Sequence, residues 1–230
     1  MKVRSVGTPG IDDVIDEAVG RSHRPDPAIG RTSGPAGNAQ LTAWTGLLLL
    51  VLIAVELVTL IDIRGLLGWH VVVGVLLAAV ATLKIASTTW RFHRYYTGSR
   101  PYTQAGPPPT LLRILGPLVI AATVGVLGSG VWLILVGAHS GRRPLVTLLG
   151  QRIDLLWIHQ ALFVVFAVVA GLHVLARLVP AVMLTTGRIH PAGGDGRLLR
   201  GRGPRVAILV ATIVAGALAA ALILPAAASW

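Results

Sequence analysis

The chain has 230 residues, of which 54% are hydrophobic and only 13% are charged, whereas soluble domains carry about 25% charged residues. An ordinary soluble globular fold is therefore excluded. Lysine and arginine outnumber aspartate and glutamate by 20 to 9, and cysteine is absent, which excludes thiolate catalysis, disulfide bonds and iron–sulfur clusters. A tightly bound metal would need nitrogen or oxygen ligands, so the seven histidines are the residues to follow.

The first 41 residues are rich in glycine, proline and charge and contain no long apolar run. They predict a largely disordered cytoplasmic tail over residues 1–41, in which Ile11 to Val19 could form one or two helical turns. They lack the apolar core of a secretory signal.

Five long apolar runs follow this tail. A bilayer core of about 30 Å needs roughly 20 apolar residues in a helix, at about 1.5 Å per residue. The runs are Thr42 to Ile61, Leu66 to Trp90, Ile114 to Val136, Leu155 to Ala176 and Val206 to Leu224. The sequence therefore predicts an all-α integral membrane protein, with a four-helix transmembrane bundle over residues 42–179, a basic cytoplasmic loop over 180–205 and a fifth transmembrane helix over 206–230.

Basic residues in the connections predict the orientation, because lysine and arginine resist translocation. Most of them follow the second and fourth runs: Arg91, Arg94, Arg100, Arg113, Arg177, Arg188, Arg197, Arg200, Arg202 and Arg205. We therefore expect a multi-pass protein of the cell (inner) membrane, with a cytoplasmic N-terminus and an extracytoplasmic C-terminus. Contact with anionic lipid explains the basic loop better than nucleic-acid binding, for which interleaved aromatic residues are missing.

Histidines inside the apolar runs are functional candidates, since an ionisable side chain in a membrane is costly. His159 and His173 lie 14 residues apart in the fourth run, which is four whole turns of a helix in a packed bundle and about 21 Å along its axis. Both imidazoles should therefore face the bundle interior. His70 begins the second run at the depth of His159, and two such imidazoles suit a six-coordinate haem iron. Lys84 follows 14 residues later, at the depth of His173.

Glycines of the third run repeat the same spacing. Gly116 and Gly130 are 14 residues apart. They leave gaps that the edge of a porphyrin could fill, although close helix packing explains small residues in a membrane as well.

With these residues in place, the chain resembles the di-haem membrane cytochrome b superfamily, which includes the cytochrome b subunits of quinone-linked respiratory complexes, formate dehydrogenases and hydrogenases. The resemblance covers residues 42–179. It rests on His70, Gly74, Gly116, Gly130, His159 and His173. In that superfamily, histidines of the second and fourth helices hold two b-type haems, and electrons cross the membrane or pass to and from quinone.

The resemblance implies an outer haem b on His70 and His159. It also implies an electron-transfer subunit that works with a redox partner on the extracytoplasmic side and with the quinone pool. The chain contains no nucleotide loop or flavin motif, so a complete enzyme would need that partner.

Lys84 departs from the family pattern, which has histidine at this position. Three interpretations stay open: Lys84 ligates an inner haem opposite His173, the inner haem is five-coordinate on His173, or there is no inner haem and Lys84 extends to the membrane surface. A lysine amine can bind iron once it is deprotonated, and burial favours that form. However, the surface is only about 9 Å away, which a lysine can reach. Two haems are expected, with one as the alternative.

Other charged residues are candidates for supporting roles. Haem propionates need cationic partners, and Arg91, Arg94 and Arg152 near the predicted helix ends are candidates, although topology or lipid contact explains any one of them better. Glu56 is the only carboxylate well inside a run. It could handle a proton during quinol oxidation, or be protonated and hydrogen-bonded to a neighbouring helix.

A haem-free membrane protein is the alternative function. A transporter or assembly subunit could use intramembrane histidine, lysine and glutamate to relay protons. The five runs show no inverted repeat, which weighs against a transporter. The presence or absence of a b-type spectrum distinguishes the two functions.

Overall fold

A computed structural model describes residues 11–22, 26–31, 33–107, 110–189, 199–227 and 230. Within these ranges the chain forms seven α-helices and one short β-hairpin. The helices are α1 (Ile11–Ala18), α2 (Gly34–Thr59), α3 (Leu67–Tyr96), α4 (Arg100–Ala105), α5 (Thr110–Gly141), α6 (Leu155–Thr185) and α7 (Arg202–Ala227). The hairpin pairs β1 (Val146–Leu148) with β2 (Gln151–Ile153) in antiparallel register.

Five helices in the described ranges, α2, α3, α5, α6 and α7, are long and apolar enough to cross a bilayer. The shortest has 26 residues, or about 39 Å at 1.5 Å per residue, which exceeds a hydrocarbon core of about 30 Å. Their outer faces expose large apolar side chains, among them Val51, Leu135, Val164 and Leu222, which need lipid around them. The predicted all-α, multi-pass membrane fold is confirmed.

Part of the predicted disordered tail is helical. α2 begins at Gly34, eight residues before the apolar run, because Pro35 suits the first turn of a helix and this turn is buried. α1 also lies in the tail, where Val14 is buried and the helix packs against α6. Residues 1–10, 23–25 and 32 of the predicted tail lie outside the described residues.

α6 extends beyond the predicted end of the bundle at residue 179. It begins at a cap in which Asp154 Oδ1 accepts a hydrogen bond from the backbone N–H of Trp157 at 2.7 Å. It continues through the buried Pro180 to Thr185, because a proline removes only its own intrahelical hydrogen bond and packing can offset that loss. Since α7 begins at Arg202, the basic connection is shorter than predicted, and its residues 190–198 lie outside the described residues.

The β-hairpin between α5 and α6 was not predicted from the sequence. Its turn residues Leu149 and Gly150 have φ angles of 50° and 79°, and positive values at both central positions are typical of a type I′ turn. Strands of only three residues are too short to produce a recognisable alternation of apolar and polar side chains.

Four of the membrane helices form two antiparallel pairs. α2 packs on α3, and α5 packs on α6, while α2 also touches α6. The registers agree with the 14-residue spacing: Glu56 on α2 contacts His70 on α3, and Thr42 contacts Lys84. α7 packs on α3, outside the space between the two pairs, as expected for a peripheral fifth helix.

Gly216 lets α7 approach α3 closely. A Cβ at this position would lie 2.9 Å from Ala79 Cβ and 3.6 Å from Leu76 Cα, so a side chain would push the helices apart. We therefore expect Gly216→Ala to lower the stability by about 1–3 kcal/mol, the usual cost of overpacking, measured as a lower melting midpoint in detergent. Gly171→Ala on α6 is the matched control, because its Cβ would meet no atom within 4 Å. An equal loss in both variants would contradict this interpretation.

Candidate functional site

An apolar cavity of about 1370 Å³ lies between the α2–α3 pair and the α5–α6 pair. Pockets for drug-sized ligands measure about 300–1,000 Å³, so this cavity can hold a larger group or two groups. All four predicted iron ligands line it, together with Glu56 and the three predicted glycines: His70, Lys84, His159, His173, Gly74, Gly116 and Gly130. We call the end at His70 and His159 the His70 level, and the end at Lys84 and His173 the Lys84 level.

His70 and His159 approach each other at the His70 level. Their ring centroids are 6.4 Å apart and their planes are nearly perpendicular, at 86°. Two imidazoles that bind one metal ion from opposite sides, through metal–nitrogen bonds of about 2.0–2.1 Å, have ring centres about 6 Å apart. Two aromatic rings in edge-to-face contact have centroids at a similar distance. The distance alone therefore does not distinguish a metal-binding pair from a ring contact, and the hydrogen bonds of the two rings have to be considered as well.

His70 is anchored by α2 through one ring nitrogen. Its Nδ1 lies 3.0 Å from Glu56 Oε1 and 3.1 Å from Thr59 Oγ1. The Thr59 hydroxyl already donates to the backbone carbonyl of Glu56 at 2.6 Å, so its oxygen accepts from the imidazole. In the neutral ring the proton therefore lies on Nδ1, and Nε2 carries a free lone pair.

His159 is anchored in the same way by α5. Its Nδ1 lies 2.9 Å from Ser129 Oγ. That hydroxyl donates to the backbone carbonyl of Val126 at 3.0 Å, so it too accepts from an Nδ1–H. Both rings thus keep Nε2 for another partner, which is the arrangement of metal-binding histidines held by outer hydrogen bonds.

The three predicted glycines play different parts. A Cβ at Gly130 would lie 3.2 Å from His159 Cε1, so this glycine makes room for the imidazole. A Cβ at Gly74 would lie 3.5 Å from Glu56 Oε1, an ordinary contact distance, so Gly74 borders the carboxylate without being required by it. A Cβ at Gly116 would meet no atom within 4 Å, and this glycine alone of the three leaves open space along the cavity wall.

At the Lys84 level the two candidate ligands have unequal surroundings. Lys84 Nζ donates to the backbone carbonyl of Thr42 at 2.9 Å, and a Cβ at Gly46 would lie 3.0 Å from the amine. The Nδ1 atom of His173 is buried, with no hydrogen-bond partner in the described part of the chain. A neutral Lys84 amine has one lone pair and two N–H groups, so it could bind iron through the lone pair while still donating to Thr42.

A polar cluster continues from Lys84 towards the nearer end of the bundle. The Thr42 and Ser87 hydroxyls are 2.9 Å apart, and Asn38 Nδ2 donates to the backbone carbonyl of Ser87 at 2.9 Å. Thr42 Oγ1 also donates to Asn38 Oδ1 at 3.2 Å. Polar groups thus join α2 to α3 from Lys84 outward.

The N-terminal segment, residues 11–22 and 26–31, covers the cavity at the Lys84 level. Arg91 forms two hydrogen bonds with the Asp26 carboxylate, both of 2.8 Å. Arg177 donates to Glu17 Oε1 at 2.6 Å. All four side chains line the cavity, and Arg91, a candidate propionate partner, pairs with a carboxylate of this segment.

These two ion pairs should hold the segment in place. We expect the double variant Glu17→Gln, Asp26→Asn to exchange the amide hydrogens of residues 11–22 at least about twofold faster, since partly exposed ion pairs contribute about 0.2–1 kcal/mol each. Hydrogen–deuterium exchange with mass spectrometry measures this. Arg188→Gln, at an exposed position beyond α6, should leave the exchange unchanged, and unchanged exchange in the double variant would contradict the role of the ion pairs.

The other two predicted propionate partners lie away from the cavity. Arg94 donates to Ser99 Oγ at 3.0 Å and stacks over the Trp90 ring at 5.6 Å. Arg152 is exposed on β2, opposite Thr147. Within the described part of the chain, neither arginine lines the cavity.

Thr59 and Ser129 were missed as site residues. Thr59 lies three residues after Glu56, and Ser129 precedes Gly130. Each therefore lies within three residues of a predicted site residue. Hydroxyl residues in apolar helices usually bond only to their own backbone, which explains why they carry little signal in the sequence.

The chain matches no protein-family model, no curated protein and no solved structure. Among the described residues, no three histidine, cysteine, aspartate or glutamate side chains form a group that could hold a metal ion. A haem iron needs only two axial ligands from the protein. The function is therefore inferred from the His70 and His159 pair and the cavity around it.

Proposed function

We propose that this chain is a membrane-embedded b-type cytochrome that passes electrons between a partner oxidoreductase and the quinone pool or across the membrane. The observation that supports it best is the pair His70 and His159, whose rings are 6.4 Å apart and whose Nδ1 atoms both have polar partners, while neither Nε2 has a hydrogen-bond partner among the described residues. Bound haem b supplies one-electron redox chemistry. The chain supplies two axial nitrogens and an apolar cavity that keeps water away from them.

A second haem b belongs to this proposal, at the Lys84 level. His173 on α6 and Lys84 on α3 would hold this haem through one nitrogen each, and the neutral Lys84 amine could keep an N–H group on the Thr42 carbonyl. The support is the size of the cavity, which reaches both levels, and the buried His173 Nδ1 without a described partner. A buried lysine is costly in a membrane, and binding a metal as a neutral amine removes that cost.

We also propose the orientation in the membrane. Basic residues concentrate beyond the Lys84 level, at Arg91, Arg94, Arg100 and Arg177, which favours the cytoplasmic side for this end. The His70 level then faces the extracytoplasmic side of the cell membrane. A partner subunit that donates electrons would bind there.

Purification of the full chain from haem-supplied cells tests the proposal. We expect a red protein in detergent, with a dithionite-reducible b-type spectrum and two haems per chain by the pyridine haemochrome assay. A colourless protein that is folded by circular dichroism would overturn the proposal.

A proton-conducting membrane protein without haem is the second candidate. The observation that favours it is the polar cluster of Asn38, Thr42 and Ser87, which leads from the end of the bundle to Lys84. A colourless protein that conducts protons in liposomes, and loses this conduction in Lys84→Leu, would support it.

A further inference from the structure

The two imidazoles at the His70 level have partners of different charge. His70 Nδ1 is 3.0 Å from a carboxylate oxygen of Glu56. His159 Nδ1 is 2.9 Å from the neutral hydroxyl of Ser129. The two sides of this site are therefore electrostatically unequal.

The Glu56 carboxylate is directed at His70 alone among the described groups. Its side chain is 16% exposed, and its Oε2 atom is buried with no hydrogen-bond partner in the described residues. In the same part of the chain, no lysine or arginine forms an ion pair with it. The His70 imidazole is therefore the only side chain among the described residues that contacts this carboxylate as a polar partner.

Two neighbours border this pair. Gly74 lies one helical turn after His70, and a Cβ there would be in ordinary contact with Glu56 Oε1, at 3.5 Å. Thr59 donates to the backbone carbonyl of Glu56 and accepts from the same imidazole. Glu56 and Thr59 on α2 thus meet His70 on α3 at one ring nitrogen.

We infer that Glu56 is a positioning residue that lowers the reduction potential of the iron held by His70 and His159, an inference that rests on the proposed function. A carboxylate that accepts the Nδ1–H of an axial histidine makes the imidazole a stronger electron donor. Stronger donation, and a negative charge close to the iron, both favour the oxidised state. The Ser129 hydroxyl orients His159 without adding charge.

A redox titration of Glu56→Gln in the purified full-length protein tests this. The amide keeps the shape and an acceptor oxygen but removes the charge. We expect the midpoint potential to rise by the equivalent of about a tenfold change in the equilibrium constant, which is about 59 mV for one electron. The affected component is the one that His159→Ala removes. The ferric electron paramagnetic resonance spectrum should change with it, because it reports donation by the axial imidazoles.

Ser129→Ala is the matched control, because it removes a neutral partner from the opposite ligand. A shift in Glu56→Gln no larger than that of Ser129→Ala would overturn the inference and leave the proposed function standing. A colourless wild-type protein would overturn the proposed function itself.

Glu56→Asp covers the case in which the glutamine variant does not assemble. The aspartate keeps the charge but shortens its reach to Nδ1. A rise in the midpoint potential that is smaller than the roughly 59 mV expected for Glu56→Gln supports the inference. An unchanged midpoint potential and an unchanged resonance spectrum contradict it.

Discussion

Replacing His159 with alanine should remove one haem from each chain. The variant loses an axial nitrogen that no described neighbour can replace, since the adjacent Ser129 offers only a hydroxyl. The haem-to-protein ratio should fall from two to one, and the reduced b-type absorbance should fall in proportion. The pyridine haemochrome assay with a protein determination measures both.

His139→Ala is the control for this experiment, because His139 is exposed near the end of α5 and should leave the ratio at two. His70→Ala should reproduce the loss, and the double variant of His70 and His159 should lose no more than either single variant, since the two residues act on one iron. A full haem complement in His159→Ala, with an unchanged low-spin spectrum, would refute the assignment.

Replacing Lys84 with leucine should abolish one of two low-spin haem signals. Leucine preserves most of the apolar volume but provides no nitrogen, so the iron at the Lys84 level would keep only His173. We expect the number of low-spin ferric haems per chain, counted by electron paramagnetic resonance, to fall from two to one. Lys84→His should retain two low-spin haems, because it supplies an imidazole nitrogen at the same position.

The hydrogen bond from Lys84 to Thr42 suggests a different role for this lysine, as a structural link between helices and not as an iron ligand. If this amine only joins α3 to α2, Lys84→Leu will lower the melting midpoint and leave the haem spectrum as it was. That result would remove Lys84 from the iron ligands and leave the pair at the His70 level as the site of the only low-spin haem.

The helices could be predicted because the bilayer imposes a simple requirement. A run such as Leu155 to Ala176 must be helical in lipid, where every backbone polar group needs a partner. The helix ends could not be predicted so well, since the membrane imposes nothing beyond its boundary. α2 begins at Gly34, well before the apolar run, and α6 continues through Pro180. Packing among the ends of the helices decides where these two helices begin and end.

The arrangement of the candidate site was predictable where it depends on helical periodicity. A spacing of 14 residues placed His159 and His173 along one cavity, and His70 beside His159. The partners of these residues were not predictable, because they depend on which neighbouring helix each face meets. Glu56 could be noted as a carboxylate in a membrane, but its contact with His70 Nδ1 follows only from the register of α2 against α3.

Charge pairing with the N-terminal segment was equally hidden. Arg91 was a candidate partner for a propionate or for lipid, and its pairing with Asp26, 65 positions earlier, was not predicted. Sequence patterns report neighbours within a few turns, whereas such a pair depends on the assembled fold. The composition of the segment predicts a disordered tail, because it contains too few apolar residues to form a core of its own.

The ion pair of Glu17 with Arg177 also sets an order of events during synthesis. Its partners are separated by 160 positions, so Glu17 leaves the ribosome long before α6 has been made. The segment can form both ion pairs only when α3 and α6 are both in place, because Asp26 needs Arg91 on one and Glu17 needs Arg177 on the other. A segment that is translated before both of its partner helices is thus among the last parts of the bundle to reach its native position.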